Sequence, residues 1–336
     1  MWCDSVRHEP DDLPEGNGEH DVVAVGHSDL EIFPLALGGN TFGWTADETT
    51  SFDILDSFAE GGGNMIDTAD SYSAFAPGNS GGESETIIGR WLAHNGLREH
   101  VVVATKVSRH PQFRGLAPET IAAASAASLE RLQTDRIDLY YAHYDDPDVP
   151  LEDSLAAFDE LVRNGSVRYL GISNYSPERV REWMSIADAR GYARPVALQV
   201  QYNLVHHATF ERDYAPLAAE FGLAVFPYYS LAAGFLAGKY RTMEDLRGVP
   251  REATAAKYLT PAGLEVVDAL HEIGAAHDVE PATIALAWLL TRPRITAPLA
   301  SASRLDQLYS LMDAPSIVLT SSEIHRLDTL SRAVAQ

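Results

Sequence analysis

Short apolar runs alternate with segments of helical periodicity from Phe33 onward. Runs of four to eight apolar residues bounded by turn residues are typical of buried strands, and their alternation with helices is typical of parallel βα units. Eight such units predict an α/β fold of the (β/α)8 barrel type. The runs are Pro34–Leu37, Met65–Ile66, Val101–Thr105, Ile137–Ala142, Val167–Ile172, Val196–Val200, Leu223–Phe226 and Ile295–Leu299.

Capping residues support the helix boundaries between these runs. Ser176 before Pro177 is a helix start, and Thr320 with Glu323 forms a capping-box pattern. The open doubly wound sheet is the structural alternative, but the segment Gly38–Gly43 does not supply its GxGxxG fingerprint. The predicted helices are Glu48–Ala59, Glu83–His94, Pro118–Leu132, Glu152–Arg163, Pro177–Ala189 and Phe210–Phe221.

The N-terminal region differs from the repeat. Residues 1–21 are rich in Asp, Glu, Gly and Pro, which predicts a disordered acidic tail. Val22–Val25 and Leu30–Ile32 flank a turn and predict a short β-hairpin that plugs the bottom of the barrel. Residues 22–336 are therefore expected to form a single barrel domain.

Composition limits the partners and the compartment. The net charge of −23 argues against nucleic acid and against an anionic membrane surface as partners. The absence of a long apolar run and of a signal-peptide pattern predicts a cytoplasmic protein. The single cysteine, Cys3, excludes an internal disulfide framework. Composition does not distinguish a monomer from a homo-oligomer.

Ionisable side chains stand at the ends of three neighbouring runs. Asp67 ends one run and is followed by Tyr72, Lys106 ends the next, and His143 follows the third. In a barrel the carboxyl ends of the strands share one rim, so these four side chains are predicted to converge there. We expect Lys106 to stabilise the phenolate of Tyr72, Asp67 to hold Lys106, and His143 to orient a carbonyl oxygen. This arrangement suits carbonyl reduction.

These four residues resemble the catalytic tetrad of the aldo-keto reductases. The segments Gly171–Asn174, Gln199–Leu204 and Gly234–Tyr240 also resemble motifs of that family, so the resemblance extends from Phe33 to Leu330. The resemblance implies reversible reduction of an aldehyde or ketone to the alcohol, with a small carbonyl compound as substrate. Tyr72 is then the proton donor and acceptor.

The resemblance also implies a nicotinamide cofactor, with NADPH favoured and NADH as the alternative. In the family, the matching residues hold the carboxamide of the nicotinamide, stack on the nicotinamide ring, or bind the adenosine phosphate. Tyr229 is an alternative to Tyr228 for the stacking role. Ala300 and Ser310 depart from the family pattern beside the phosphate residues. The implied cofactor residues are Ser173, Asn174, Gln199, Tyr228, Ser301, Ser303, Arg304 and Gln307.

Aromatic residues suggest a substrate pocket, and two functions other than carbonyl reduction stay open. Trp44, Tyr144 and Tyr175 stand near strand ends and are candidates for the pocket wall. The same family includes β subunits of potassium channels, so a nucleotide-sensing regulatory subunit is the alternative function. A hydrolase using Ser80 is a weaker candidate, because the Gly78–Gly82 match to GxSxG lacks a preceding buried strand.

No metal site is expected. His206 and His207 are adjacent and make a poor chelate, and they are interpreted as surface or interface residues. His271 and His277 are six residues apart, whereas the zinc-protease motif needs four.

Overall fold

A computed structural model describes residues 22–334. The predicted acidic tail, residues 1–21, lies outside the described residues. Eight parallel strands form one sheet that curls into a barrel, which confirms the predicted fold class. The barrel strands are β3 (Ala36–Gly38), β4 (Met65–Asp67), β5 (Val102–Val107), β6 (Ile137–Ala142), β7 (Val167–Ser173), β8 (Pro195–Gln201), β9 (Ala224–Tyr228) and β10 (Leu299–Ala300).

The predicted hairpin covers the bottom of this barrel. Strands β1 (Val23–Ala24) and β2 (Glu31–Ile32) pair antiparallel. Val25 and Ile32 are fully buried against the interior residues of the barrel. The turn between them is tied to the barrel by an ion pair of 2.8 Å between Asp29 and Arg168.

The barrel closes between β9 and the segment that leads into β10. The amide of Thr296 donates to the carbonyl of Val225 at 2.9 Å, and Val225 forms an isolated parallel bridge with Ile295. The predicted eighth strand, Ile295–Leu299, is therefore displaced, because regular pairing begins only at Leu299. The carbonyl of Pro298 accepts a hydrogen bond from the amide of Ala36. Because Pro298 lacks an amide hydrogen, it cannot donate one in return.

Helices surround the sheet and confirm the predicted alternation. The helix predicted over Phe210–Phe221 is in fact divided, because Pro216 has no amide to continue the α-helical ladder. A π-helical turn covers Phe210–Tyr214 before helix α6 begins. The helices are α1 (Glu48–Glu60), α2 (Glu83–Asn95), α3 (Pro118–Leu132), α4 (Leu151–Arg163), α5 (Pro177–Arg190), α6 (Ala215–Phe221), α7 (Glu252–Ala255), α8 (Pro261–His277), α9 (Pro281–Leu290), α10 (Leu305–Met312) and α11 (Ser321–Ala333).

The two-residue period of the strands determines which side chains face the barrel interior. In β5, Val103 and Val107 pack between the sheet and the helices, whereas Val102 and Ala104 belong to the interior cluster. Lys106 continues the interior series at the carboxyl end of the strand. In β4, Met65 is interior, and Asp67 is therefore interior as well. Alternation alone thus turns the side chains of Lys106 and Asp67 toward the barrel interior, near the carboxyl ends of their strands.

The layer below these two residues pairs a large side chain with a glycine. Tyr141 is fully buried, and its ring centroid lies 5.9 Å from the Nζ of Lys106. A Cβ atom at Gly171 of the adjacent strand would lie 2.3 Å from a ring carbon of Tyr141, so only glycine fits there. Tyr141 therefore forms a packed floor under Lys106, and the opening lies above it.

Within residues 22–334, none of the helices combines the length and the apolar character that crossing a lipid bilayer requires.

Candidate active site

Asp67, Lys106 and Tyr72 form one connected group at the carboxyl end of the barrel. The ammonium of Lys106 donates to Oδ2 of Asp67 at 2.6 Å, to the carbonyl of Thr68 at 2.7 Å and to the phenolic oxygen of Tyr72 at 3.0 Å. The phenol of Tyr72 lies 3.3 Å from the same Oδ2 atom. Lys106 is 0% exposed, so its charge is compensated by these contacts and not by water.

Burial changes the acidity of these groups. Desolvation lowers the pKa of Lys106, while the Asp67 carboxylate opposes that change. Desolvation and the carboxylate of Asp67 raise the pKa of Tyr72 well above its usual value. The expected role of Lys106, to stabilise the phenolate once the proton has left, stays a prediction, and its ammonium lies 3.0 Å from the phenolic oxygen. Tyr72 is consequently a phenol, ready to donate, at neutral pH.

His143 directly follows β6 and faces the same cavity as Tyr72. The two rings are arranged edge to face with their centroids 6.2 Å apart. Desolvation, together with the positive charges of Lys106 and Arg109, lowers the pKa of His143 well below its usual value. The imidazole is therefore neutral at pH 7 and has one N–H to donate.

A cavity of about 1430 Å³ opens above the tetrad. It is larger than the roughly 300–1,000 Å³ that a drug-sized ligand needs, which leaves room for a dinucleotide together with a substrate. Lys106 lies beneath its surface. The predicted site residues that line it are Trp44, Asp67, Tyr72, His143, Tyr144, Ser173, Asn174, Gln199, Tyr228, Ser301, Ser303, Arg304 and Gln307.

The predicted carboxamide residues are joined to one another around Asn174. Its amide nitrogen donates to the Oγ of Ser173 and to the carbonyl of His143, both at 2.9 Å. Its amide oxygen accepts the hydroxyl of Tyr228 at 2.8 Å. This hydroxyl contact anchors Tyr228 at the wall of the cavity, whereas the neighbouring Tyr229 is 40% exposed.

Gln199 belongs to the tetrad as well as to the cavity wall. Its amide nitrogen donates to Oδ1 of Asp67 at 2.9 Å, while Lys106 and Tyr72 contact the other carboxylate oxygen. One amide hydrogen of Gln199 therefore serves Asp67, while the side chain also lines the cavity. The sequence did not reveal this second role.

The predicted phosphate residues lie between β10 and the start of α10. The side chain of Gln307 accepts from the amide and the hydroxyl of Ser303, at 2.9 and 3.2 Å. Arg304 precedes the first turn of α10, and its guanidinium binds both carboxylate oxygens of Asp306 at 2.9 Å. Asp306 thus already occupies the fork of Arg304 that was expected to bind a phosphate.

Comparison with known proteins identifies the family. The model of the aldo/keto reductase family matches residues 34–332. The chain belongs to the aldo/keto reductase family. It is 33% identical to the uncharacterized oxidoreductase YrpG of Bacillus subtilis over 318 residues, which cover 91% of this chain and 94% of the relative.

Two further relatives carry more specific names. The putative aryl-alcohol dehydrogenase AAD14 of Saccharomyces cerevisiae is 30% identical, over 90% of this chain and 84% of the relative. The putative voltage-gated potassium channel subunit beta of Schizosaccharomyces pombe is 29% identical, over 91% of this chain and 92% of the relative. This family thus contains both oxidoreductases and a protein named as a channel subunit.

Tyr175 was predicted to line the substrate pocket of this aldo/keto reductase, and that placement was wrong. The side chain is 1% exposed, does not reach the cavity, and packs edge to face on Trp183 with centroids 5.6 Å apart. It follows β7 at a position where the chain turns toward α5, so it points into the space between sheet and helices. An aromatic residue near a strand end was an ambiguous signal.

The sequence interpretation also missed cationic residues of the cavity wall. Arg109 follows Lys106 by three positions, Arg251 precedes α7, and Lys239 lies within the Gly234–Tyr240 motif, whose members had no assigned role. Both arginines lie outside any family motif in the sequence, so no spacing signal pointed to them.

The remaining motifs lie apart from the cavity. Ser80 is exposed in the loop before α2, where its backbone amide donates to Glu83 at 2.6 Å. His271 and His277 have separate partners, the carbonyl of Gly238 and the carboxylate of Glu323. Among residues 22–334, no three His, Cys, Asp or Glu side chains are grouped as metal ligands.

Proposed function

We propose that the protein reduces an aldehyde or ketone to the alcohol with a nicotinamide cofactor, NADPH in preference to NADH. The contact that supports this most strongly is the position of Lys106, whose buried ammonium bridges Asp67 at 2.6 Å and the phenol of Tyr72 at 3.0 Å. A phenol held against a buried cation is suited to donate a proton and to remain as a stabilised anion afterwards.

The roles of the four residues follow from their contacts. Tyr72 donates its proton to the carbonyl oxygen, because its raised pKa keeps it protonated. Lys106 stabilises the phenolate that remains, and Asp67 keeps Lys106 in position through their short ion pair. His143, which is neutral, donates a hydrogen bond to the same carbonyl oxygen. The bound reduced nicotinamide supplies the hydride to the carbonyl carbon.

The two directions of the reaction require opposite protonation states of Tyr72. Oxidation of an alcohol requires Tyr72 as a phenolate, which accepts the proton. Because burial raises the pKa of Tyr72, the phenolate is scarce at neutral pH. At pH 7 Tyr72 is therefore in the protonated form that carbonyl reduction requires, and the reverse reaction draws on the small phenolate population.

The cavity wall fits a dinucleotide. Asn174, Ser173 and Gln199 offer amide and hydroxyl groups for a carboxamide, and the ring of Tyr228 is positioned for stacking. Near β10, the amino end of α10 attracts phosphate. Lys239 also faces the cavity and has no ion pair with a carboxylate of residues 22–334. The ammonium of Lys239 and the amino end of α10 together suit a ligand that carries phosphates.

The cofactor preference is proposed from Arg304. A planar guanidinium at the amino end of a helix suits the 2′-phosphate of NADPH, which NADH lacks. Because Asp306 occupies this guanidinium in the free protein, the phosphate has to displace a carboxylate. NADPH is therefore the proposed cofactor. Because its 2′-phosphate competes with Asp306 for Arg304, the preference for NADPH over NADH is moderate.

The proposal is tested by binding and turnover together. The protein is titrated with NADPH and with NADH by fluorescence, and the nicotinamide absorbance band is then followed after an aromatic aldehyde is added. We expect tighter binding of NADPH and a loss of absorbance that depends on the aldehyde. If neither nucleotide binds, the proposed function is wrong.

A nucleotide-sensing regulatory subunit is the second candidate, because the relative from Schizosaccharomyces pombe is named as a potassium channel subunit. The same experiment distinguishes the two functions. Binding of NADPH without turnover on a panel of aldehydes and ketones would favour the sensing role.

A further inference from the structure

We propose that Arg109 selects carbonyl substrates that carry a carboxylate group. This inference rests on the proposed reductase function and adds a substrate class to it. Arg109 lines the same cavity as Tyr72 and His143, and it stands just beyond the carboxyl end of β5, the strand that carries Lys106. It therefore belongs to the side of the cavity where the carbonyl group reacts.

The position of the Arg109 guanidinium is fixed by stacking. Its central carbon lies 3.8 Å from the ring centroid of Tyr144, which also lines the cavity. Stacking on the face of an aromatic ring leaves the N–H groups at the edge of the guanidinium free to form hydrogen bonds. A carboxylate is the group that matches two such N–H groups in one plane.

No protein group in the described chain takes these hydrogen bonds. Within residues 22–334, Arg109 forms no ion pair with Asp or Glu, and its guanidinium donates no hydrogen bond. Arg304, which also lines the cavity, is paired with Asp306, whereas the guanidinium of Arg251 stands 6.0 Å from the ring centroid of Trp44 and has no ion pair within residues 22–334. Arg109 is thus an oriented cation whose hydrogen-bonding capacity is left for a ligand.

The position of the charge relative to the tetrad is also informative. Arg109 is close enough to His143 to contribute to its lowered pKa, so its positive charge acts at the carbonyl-binding end of the cavity. Near β10, Arg304 is assigned to the cofactor phosphate, which has to displace Asp306 from its guanidinium. Arg109 is thus the cation assigned to the substrate, and Arg304 is the one assigned to the cofactor.

The overall charge of the protein makes a local cation necessary for such substrates. At a net charge of −23, an approaching carboxylate is repelled by most of the surface. An exposed guanidinium at the cavity wall opposes that repulsion where the substrate enters. A neutral aldehyde has no such requirement, so the fixed cation favours oxo acids over neutral carbonyl compounds.

The experiment compares 4-carboxybenzaldehyde with its neutral methyl ester, methyl 4-formylbenzoate. We expect the native protein to prefer the acid in kcat/KM, and Arg109→Gln to reduce the ratio of the two values by on the order of ten- to a hundredfold. Arg109→Lys should retain part of the preference, because it keeps the charge but loses the planar fork. Equal kcat/KM values for acid and ester in the native protein would overturn the proposal.

Arg114→Gln is the matched control, since Arg114 is exposed on the same loop but does not line the cavity. It removes the same charge and should leave the ratio unchanged. If Arg114→Gln lowers the ratio as much as Arg109→Gln does, the preference is a general charge effect and the proposal is wrong. If Arg251→Gln removes the preference and Arg109→Gln does not, the assignment to Arg109 is wrong.

A binding measurement separates this proposal from the proposed function. Benzoate and benzamide are titrated calorimetrically into the native protein and into Arg109→Gln. Preferential binding of benzoate that is lost in Arg109→Gln supports the carboxylate site even if neither aldehyde is reduced, in which case only the reductase function fails. Equal binding of benzoate and benzamide to the native protein overturns the carboxylate site even if the ester is reduced.

Discussion

The ammonium of Lys106 lies 3.0 Å from the phenolic oxygen of Tyr72, and Lys106 has no exposure to solvent. The proton donor and the charge that stabilises its conjugate base are therefore in direct contact before any ligand binds. The geometry is held by Asp67, which contacts both groups. Substitution of each group therefore tests its contribution to proton transfer or to stability.

Tyr72→Phe should reduce kcat for carbonyl reduction by on the order of a hundredfold to ten-thousandfold, because the general acid is lost while the ring is retained. Binding of NADPH, measured by fluorescence titration, should change little, and kcat is measured from the nicotinamide absorbance. Tyr144→Phe is the control, because it removes a phenol from the same cavity wall and keeps the ring that stacks on Arg109. Near-native turnover in Tyr72→Phe would exclude Tyr72 as the proton donor.

Lys106→Met should destabilise the protein by about 3 kcal/mol, because it leaves the carboxylate of Asp67 buried without its cation. Asp67 keeps hydrogen bonds from Gln199 and Tyr72, which limits the loss. The double variant Lys106→Met with Asp67→Asn should be destabilised by less than the sum of the single variants. Denaturant unfolding measures all three, and strictly additive changes would show that the two groups are not coupled.

Much of this site could be predicted because strand periodicity is visible in the sequence. The runs that end at Asp67, Lys106 and His143 are barrel strands, and two-residue alternation turns both Asp67 and Lys106 toward the barrel interior. The helix boundaries were also predictable from local signals, and the capping box of Thr320 and Glu323 is present.

The features that were not predictable depend on contacts between distant segments or on competing partners. Asp306 occupies the guanidinium of Arg304, Gln199 donates to Asp67, and desolvation raises the pKa of Tyr72. Tyr175 had the same kind of sequence context as Tyr144, yet it packs in the core. Residue type and spacing do not determine which way a side chain turns after a strand ends.

The pH profile of kcat/KM should lack a limb near pH 6.5, the usual pKa of histidine. Desolvation, Lys106 and Arg109 lower the pKa of His143, so the neutral imidazole persists below that pH and the acidic limb is displaced downward. Arg109→Gln removes one of these charges and should move the limb upward, whereas Arg114→Gln should not. A limb at about pH 6.5 in the native protein would contradict the prediction, because it would show that the pKa of His143 is not lowered.

The same lowered pKa predicts how stability depends on pH. In the unfolded chain His143 binds a proton below about pH 6.5, whereas in the folded protein it does so only at a lower pH. The contribution of His143 to stability is therefore complete above pH 6.5 and is lost as the pH falls toward its folded pKa. His143→Gln should reduce this acid sensitivity, and an unchanged slope in denaturant unfolding between pH 7 and pH 5, relative to the native protein, would contradict the prediction.

Asp306→Asn should increase the preference for NADPH over NADH by a few-fold, because it releases the guanidinium of Arg304 from a competing carboxylate. Arg304→Ala should have the opposite effect, since the 2′-phosphate loses its cation while NADH has no such group. Fluorescence titration gives the two dissociation constants for each variant. Asp313→Asn is the matched control, because it removes a carboxylate from the far end of α10, away from the cavity. If Asp306→Asn and Asp313→Asn change the preference for NADPH over NADH equally, the effect comes from net charge. Asp306 then does not compete with the 2′-phosphate for Arg304.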